Sequence, residues 1–235
     1  MDGRRKRPII VVDGPAGTGK STVCSLFAER AGYCCLDTGA LYRTVAWLAR
    51  ERSVSLDDED RLALLCGAIS VVVDEAAGRM RIFADGEEMD QRIRTDETGM
   101  AASRVSGLPG VRRALLPLQR AAGAAGGIIA EGRDMGTVVF PDADIKIFLD
   151  ADPSERAKRR YRELTERGEK ADYDEVLKDM SFRDEQDMTR SVAPLRPADD
   201  AIVLDTTRMN REEVVQSVME IVRSKRAVSH ESSVL

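Results

Sequence analysis

Gly14, Pro15, Ala16, Gly17, Thr18, Gly19, Lys20 and Ser21 match the pattern G-x-x-x-x-G-K-[ST] at every required position. Glycines suit such a loop because backbone N–H groups must close around phosphate oxygens with no Cβ in the way. The apolar run Ile9–Asp13 precedes the loop, and a helical pattern from Thr22 to Ala31 follows it. The helix N-terminus therefore adds its positive dipole end to the loop. In this setting Lys20 reaches the β- and γ-phosphates of a nucleoside triphosphate, and the Ser21 hydroxyl ligates Mg2+. The only asparagine is Asn210, so the N-K-x-D motif that reads guanine in GTPases is absent.

A chain that moves a phosphoryl group must also hold its acceptor and neutralise the charge in flight, which calls for arginines and placed polar groups more than for covalent chemistry. Three short polar clusters offer them. Leu36–Arg43 follows the second strand-like run, Glu131–Thr137 follows the third, and Arg183–Arg190 has spacings that repeat on one helical face. Arg156 and Arg160 stand four apart, so they share a face of the helix after the fourth run.

The elements that must position these groups alternate between strand-like and helical patterns, as in βαβ units with a parallel sheet. Buried-strand candidates are Ile9–Asp13, Tyr33–Leu36, Gly127–Glu131, Ile145–Asp150 and Ala201–Leu204. Ligands bind beyond the carboxyl ends of such strands, which puts the polar clusters on the same side as the glycine loop. Residues 68–95 break the alternation and read as an antiparallel pair, Ile69–Asp74 and Arg79–Ala84, around the turn-like EAAG. Asp152-Pro153-Ser154-Glu155 and Asn210 with Glu213 signal two helix starts.

Composition narrows the class. The 235 residues are 43% hydrophobic and 33% charged, which suits one soluble domain with a modest insertion. The net charge of −5 gives no global attraction to nucleic acid or membrane, and no apolar run approaches a membrane span. The run IIVV is too short for a signal peptide, so the expected compartment is the cytoplasm. Cys24, Cys34, Cys35 and Cys66 form no C-x-x-C pair and read as small buried hydrophobes. The single histidine, His230, sits in the polar C-terminal segment, which argues against histidine catalysis and His-ligated metal.

Together these segments resemble the bacterial-type cytidylate kinases of the P-loop nucleoside monophosphate kinase family. The blocks GPAGTGKS, LDTGALYR, IRTDETGMAASRV, EGRDMGTVVFPDADIKIFLDA and VAPLRPADDAIVLDTT occur in order between about Ile9 and Val222. The resemblance implies a three-layer α/β/α P-loop NTPase fold with a five-stranded parallel sheet in the order 2-3-1-4-5, a β-containing monophosphate-binding insertion and a short lid. It implies a single kinase domain over 1–225, with core segments 1–37, 113–158 and 190–225, a monophosphate-binding subdomain at 38–112, a lid at 159–189 and a disordered tail at 226–235. The implied reaction carries the γ-phosphoryl group of Mg-ATP to CMP or dCMP, giving ADP and CDP or dCDP. A monomer is expected, with only these small molecules as partners.

Residue by residue, the resemblance gives Ser103, Arg112 and Asp134 the reading of cytosine. The chemistry agrees, since the exocyclic amine of cytosine is a donor for a carboxylate or hydroxyl, and uracil presents an acceptor there. Arg43 and Arg133 match residues that hold the acceptor phosphate; Thr38, Tyr42 and Arg94 match positions near the monophosphate. Arg183, Asp187 and Arg190 match a group around sugar and phosphates, and Arg156 with Arg160 match arginines that cover adenine and clamp donor phosphates. Lys20, Arg43, Arg133, Arg160, Arg183 and Arg190 would neutralise the transferring group. Glu131 and Ser21 stand where the family commonly has Asp and Gly, while Gln186 and Met188 stand where it is often basic. Two other readings stay open: a kinase for a different small acceptor such as UMP, and a nucleotide-binding module without turnover. The acidic balance and the lack of interleaved basic and aromatic residues weigh against RNA.

Overall fold

β1 (Ile9–Asp13) reads IIVVD without alternation and is buried along its whole length, as a parallel strand covered on both faces must be. In the computed structural model, which describes residues 7–231, the glycine loop and α1 (Lys20–Ala31) follow it, then β2 (Cys34–Asp37). Next come α2 (Gly39–Glu51), α3 (Glu59–Leu65), the strands β3 (Ile69–Asp74), β4 (Arg79–Ala84) and β5 (Glu87–Glu88), and α4 (Asp96–Ser106). α5 (Pro109–Gly123) returns the chain to β6 (Ile128–Gly132) and β7 (Ile145–Asp150). α6 (Pro153–Glu166), α7 (Tyr173–Thr189), β8 (Ile202–Asp205) and α8 (Arg211–Glu231) complete the chain.

The strands form one mixed, mostly parallel sheet in the order β3-β4-β2-β6-β1-β7-β8, with β5 on β4. β1 lies parallel to β6 and β7, β2 to β6, and β7 to β8. β3 and β4 are antiparallel, and β4 meets β2 through the single parallel pair Cys35 and Arg79. The sheet is thus larger than the five-stranded parallel one expected, because the strands of the insertion join its edge. β2 would otherwise be an edge with unpaired backbone groups, and the hairpin covers it: the Cys35 N–H donates to the Gly78 carbonyl at 2.9 Å.

Alternate residues of β1 serve opposite faces. Ile10 and Val12 join Val23, Cys24 and Phe27 of α1 and Val214, Val215 and Val218 of α8. Ile9 and Val11 join Ala130, Met135, Val139 and Phe140 on the other side. A separate cluster holds the inserted segment together, with Leu41, Val45 and Leu48 of α2 against Leu62, Ile69, Ile82, Val105 and Leu115. Each fully buried side chain of this size contributes about 1.5–3 kcal/mol, so the insertion has an apolar core of its own. α5 runs unbroken through the expected subdomain boundary at 112/113, and α6 through that at 158/159. The four cysteines are free, three of them buried.

The helix starts are as the local chemistry dictates. Asp152 accepts from the Ser154 N–H at 2.8 Å before Pro153 opens α6. Asn210 and Glu213 exchange side-chain and backbone bonds at 2.7 and 3.0 Å, a reciprocal capping box before α8. α8 then continues to Glu231, so residues 226–231 are helical and not the disordered tail expected. No Gly or Pro interrupts that stretch, and an established helix propagates at little cost per residue. Residues 232–235 of the expected tail lie outside the described residues.

Candidate active site

The carboxyl ends of β1, β2, β6 and β7 open on the same side, and the polar clusters leave the sheet there. After β1 the chain must turn sharply beneath β7. Gly14 does so at φ +148°, where an added Cβ would stand 2.1 Å from the Leu149 carbonyl oxygen, so no other residue fits. Within the loop, Thr18 Oγ1 donates to the Pro15 carbonyl at 3.1 Å and Lys20 Nζ to the same oxygen at 2.6 Å. Ser21 Oγ donates to Glu131 Oε2 at 2.8 Å, tying the start of α1 to the end of β6. Thr22 follows in the first turn of α1, and Pro15, Ala16, Gly17 and Gly19 complete the cradle.

β6 ends in a five-residue π-helical turn, Met135–Val139, a geometry the sequence did not announce. Asp13, the last residue of β1, caps it by accepting the N–H groups of Met135 and Gly136, both at 2.8 Å. Burial pushes the Asp13 carboxyl up to about 6, even with those two donors pulling it down. This clamp orients Arg133 and Asp134 at the mouth of the loop. Thr38 Oγ1 donates to the Glu131 carbonyl at 2.7 Å and fixes the start of α2 beside them.

Lys20, Arg43, Arg133 and Arg183 converge on this mouth. Burial holds the Lys20 amine down, and the charges of Arg133 and Arg183 add to the effect. Arg183 on α7 is pushed down to about 10 by burial, by Arg133 and by Arg43, and its buried Nε has no partner. The counter-charges are fewer: Arg133 Nε meets Asp187 Oδ2 at 2.8 Å, and Arg43 lies 3.5 Å from Asp37. Burial and the nearby Asp37 raise the Glu131 carboxyl. A group of buried and half-buried cations that repel one another and leave a donor empty is complementary to a polyanion.

Farther along the same cleft Arg112 of α5 pairs with Asp134, both side chains under a tenth exposed. The Arg112 guanidinium also lies over the Tyr42 ring, 5.5 Å from its centre, and donates to the Ser106 carbonyl at 2.9 Å. Arg190 Nη2 lies 3.9 Å from Asp134 Oδ1, buried and without a hydrogen-bond partner, while its Nε–H donates to the Ala193 carbonyl at 2.6 Å. A carboxylate lined by two guanidiniums, with a ring beneath, can read a planar base by its edge.

The structure brings together Lys20, Arg43, Arg133, Asp134, Arg112, Arg183, Asp187, Arg190, Thr38 and Tyr42. Others stand apart. Ser103 on α4 offers only its carbonyl, to Ser106 Oγ, and has no bond to Arg112 or Asp134. Arg94 pairs with Asp90 at 3.0 Å, and Arg160 pairs with Glu163 at 3.0 Å. Arg156 is buried and engaged by the protein itself, donating to the carbonyls of Ala151 and Ala16 and to Asp184. Neither Asp184 nor Glu131 is singled out by its spacing, although both fall inside the polar clusters of the sequence. Asp184 lay inside the Arg183–Arg190 cluster, three residues before Asp187 and on its helical face, which was the available signal.

A sequence profile described as cytidylate kinase matches residues 10–224. The chain is 47% identical over 218 residues to the cytidylate kinase of Aliivibrio salmonicida, covering 93% of this chain and 97% of that one. It is 45% identical over 218 residues to the cytidylate kinase of Vibrio cholerae, covering 93% and 97%. With the cytidylate kinase of Pseudomonas syringae pv. tomato the identity is 47% over 216 residues, covering 91% and 94%. The similarity therefore runs from the glycine loop into α8 and includes every element that bears the site.

Proposed function

The chain belongs to the cytidylate kinase family, and from that membership we infer that it transfers the γ-phosphoryl group of ATP to CMP, giving ADP and CDP. The observation that carries the reading within this molecule is the pair of adjacent sites. One is a pocket of under-compensated cations over the glycine loop; the other is a buried carboxylate, Asp134, flanked by Arg112 and Arg190.

A phosphate oxygen of CMP attacks the γ-phosphorus of ATP in line, and the bond from that phosphorus to the bridging oxygen of ADP breaks. The acceptor is already anionic, so no strong base is needed. Lys20, Arg133, Arg183 and Arg43 neutralise the oxygens of the group in transit, in a site where burial strengthens each interaction. Asp134 accepts from the cytosine amine and Arg112 donates to the ring acceptors; uracil would set an acceptor against the carboxylate. Asp187, held by Arg133, accepts from the ribose in this reading, and dCMP is taken as a second acceptor. Arg160 reaches toward the donor from α6, while Arg156 supports the loop. Ser103 and Arg94 take the acceptor's base and phosphate after closure of the segment 159–189.

Ser21 Oγ and Glu131 offer hard oxygen donors that would hold Mg2+. When bound it would supply positive charge against the triphosphate. The kinase core in this reading is β2-β6-β1-β7-β8, the order 2-3-1-4-5 counted over the parallel strands, with β3–β5 appended to it. The enzyme acts in this reading as a cytoplasmic monomer on small molecules; no helix among the described residues is long and apolar enough to cross a membrane.

The test is ADP release from Mg-ATP with CMP, dCMP, UMP and AMP as separate acceptors. Turnover with CMP well above UMP supports the reading. UMP or AMP as the best acceptor would leave the phosphate site standing and overturn the assignment of Asp134.

A further inference from the structure

One face of α7 touches both halves of the site. Met180 packs on the loop, where a Cβ added to Gly17 would stand 2.6 Å from its Cε. One turn on, the buried Asp184 accepts the Ala16 N–H at 3.2 Å and pairs with Arg156. Arg156 in turn donates to the Ala16 carbonyl at 3.0 Å. The Ala16 residue of the glycine loop is therefore gripped on its N–H by an acid and on its C=O by a base that are bonded to each other. Next along the same face Asp187 meets Arg133, and Arg190 meets both Asp187 and Asp134. Positions 180, 184 and 187 recur at helical spacing, so a shift of α7 at one end must be felt at the other.

We propose that Asp184 is a positioning residue that locks the donor loop to α7, so that engagement of the acceptor through Asp187 and Arg133 sets the loop for the triphosphate. It acts through Ala16 and Arg156 and touches neither nucleotide. The proposal rests on the reading of the chain as a CMP kinase and adds to it a physical link between the two substrate sites.

The experiment measures binding of the non-hydrolysable β,γ-imido analogue of ATP by calorimetry, with and without saturating CMP. It compares wild type, Asp184→Asn, and the double substitution Asp184→Leu with Arg156→Met. The double change replaces the buried pair by apolar side chains of similar volume, which folded proteins tolerate better than a stranded charge. If Asp184→Asn fails to fold, the double variant, checked by its melting curve, decides. In wild type CMP tightens the analogue about fivefold or more, the lower range of linked sites. In the folded variants this factor falls to within about twofold of unity, CMP alone binds within about twofold of wild type, and kcat drops about tenfold with a raised KM for ATP. A folded double variant with wild-type coupling and kcat overturns the proposal, as does a wild type in which CMP leaves the analogue's affinity unchanged. Turnover of CMP by wild type is measured in the same samples: its absence overturns the kinase reading, whereas unchanged variants beside an active wild type overturn only the role of Asp184.

Discussion

The Asp134 carboxylate and the Arg112 guanidinium form a contact pair inside the protein, with side-chain exposures of 4% and 8%. Two charges so far from water are tolerable only if each answers the other and their remaining bonding capacity is used. Arg112 spends one nitrogen on the Ser106 carbonyl and lays its plane near Tyr42. Asp134 keeps an oxygen facing Arg190 at 3.9 Å, beyond hydrogen-bond range. In the proposed reading that oxygen is the acceptor for the cytosine amine.

Asp134→Asn keeps the shape and removes the charge. The amide can present its N–H₂ to a base, which suits the uracil oxygen better than the cytosine amine. The kcat/KM for CMP should fall about 100-fold or more, with UMP gaining relative to CMP, because a site built on one hydrogen bond rejects the analogue that lacks it. Steady-state rates across the acceptor panel, with ATP affinity unchanged as the control, check this. Retained selectivity for CMP would place the reading of the base elsewhere.

Arg183 leads to a prediction of opposite sign for stability and activity. Its charge is buried, faces Arg133 and Arg43, and has an empty Nε, and the attraction of Asp187 and Asp184 does not make good the loss. The folded protein binds this proton less well than the unfolded chain does, so at neutral pH the charge costs stability that is recovered only above about 10. Arg183→Met should therefore melt at least as high as wild type at pH 7, by about 2–4 °C for each kcal/mol relieved. Its kcat should fall about 100-fold or more. Sulfate, as an anion that answers the same charges, should raise the melting temperature of wild type more than that of the variant.

The strands and the phosphate loop were legible because each reports itself locally. Ile9–Val12 is an uninterrupted apolar run, Ile145–Leu149 is apolar but for Lys146, and G-x-x-x-x-G-K-[ST] is a statement about backbone room that Gly14 bears out at Leu149. The attachment of β4 to β2 was not legible, since a single pair at Cys35 and Arg79 leaves no pattern in either segment. Nor was the π-helical turn after β6, whose cause is a carboxylate 122 residues earlier in the chain, Asp13 on the Met135 N–H. Arg156 shows the same limit: spacing put it on the face of α6 with Arg160, but its partners Ala16 and Asp184 come from two other elements and consume it. Side chains whose role is set by sequence-distant backbone groups carry no local signature.

Asp13 gives the pH dependence of stability. Burial lifts its carboxyl from 3.8 in the unfolded chain to about 6, so between these values the folded state holds a proton that the unfolded state has released. Its contribution is complete below pH 3.8 and is lost as pH rises through about 6. The full loss is about 3 kcal/mol at 1.36 kcal/mol per unit. Asp13→Asn abolishes the titration while its amide oxygen still accepts one N–H of the turn. Denaturant unfolding at pH 3.5 and pH 7.5 should show the variant gaining about 3 kcal/mol on wild type between the two. Parallel curves would mean that Asp13 titrates in the folded protein as it does in the unfolded chain.

Lys20 separates transfer from acceptor binding. Its amine rests on the Pro15 carbonyl at 2.6 Å, an oxygen that Thr18 Oγ1 also serves at 3.1 Å. Lys20→Ala therefore leaves that carbonyl with a donor and removes a cation crowded by Arg133 and Arg183, so the variant should fold. The triphosphate loses the amine that would span its β- and γ-phosphates, and kcat should drop about 100- to 1,000-fold, the cost of removing one donor to the charge in transit. The acceptor end, Arg112 with Asp134 and Tyr42, has no contact with Lys20, so the Kd of CMP measured by calorimetry should stay within about threefold of wild type, about 0.6 kcal/mol. Equal losses of CMP affinity and turnover in the folded variant would mean that the two sites share the lysine. The division between a phosphate end and a base end would then have to be abandoned.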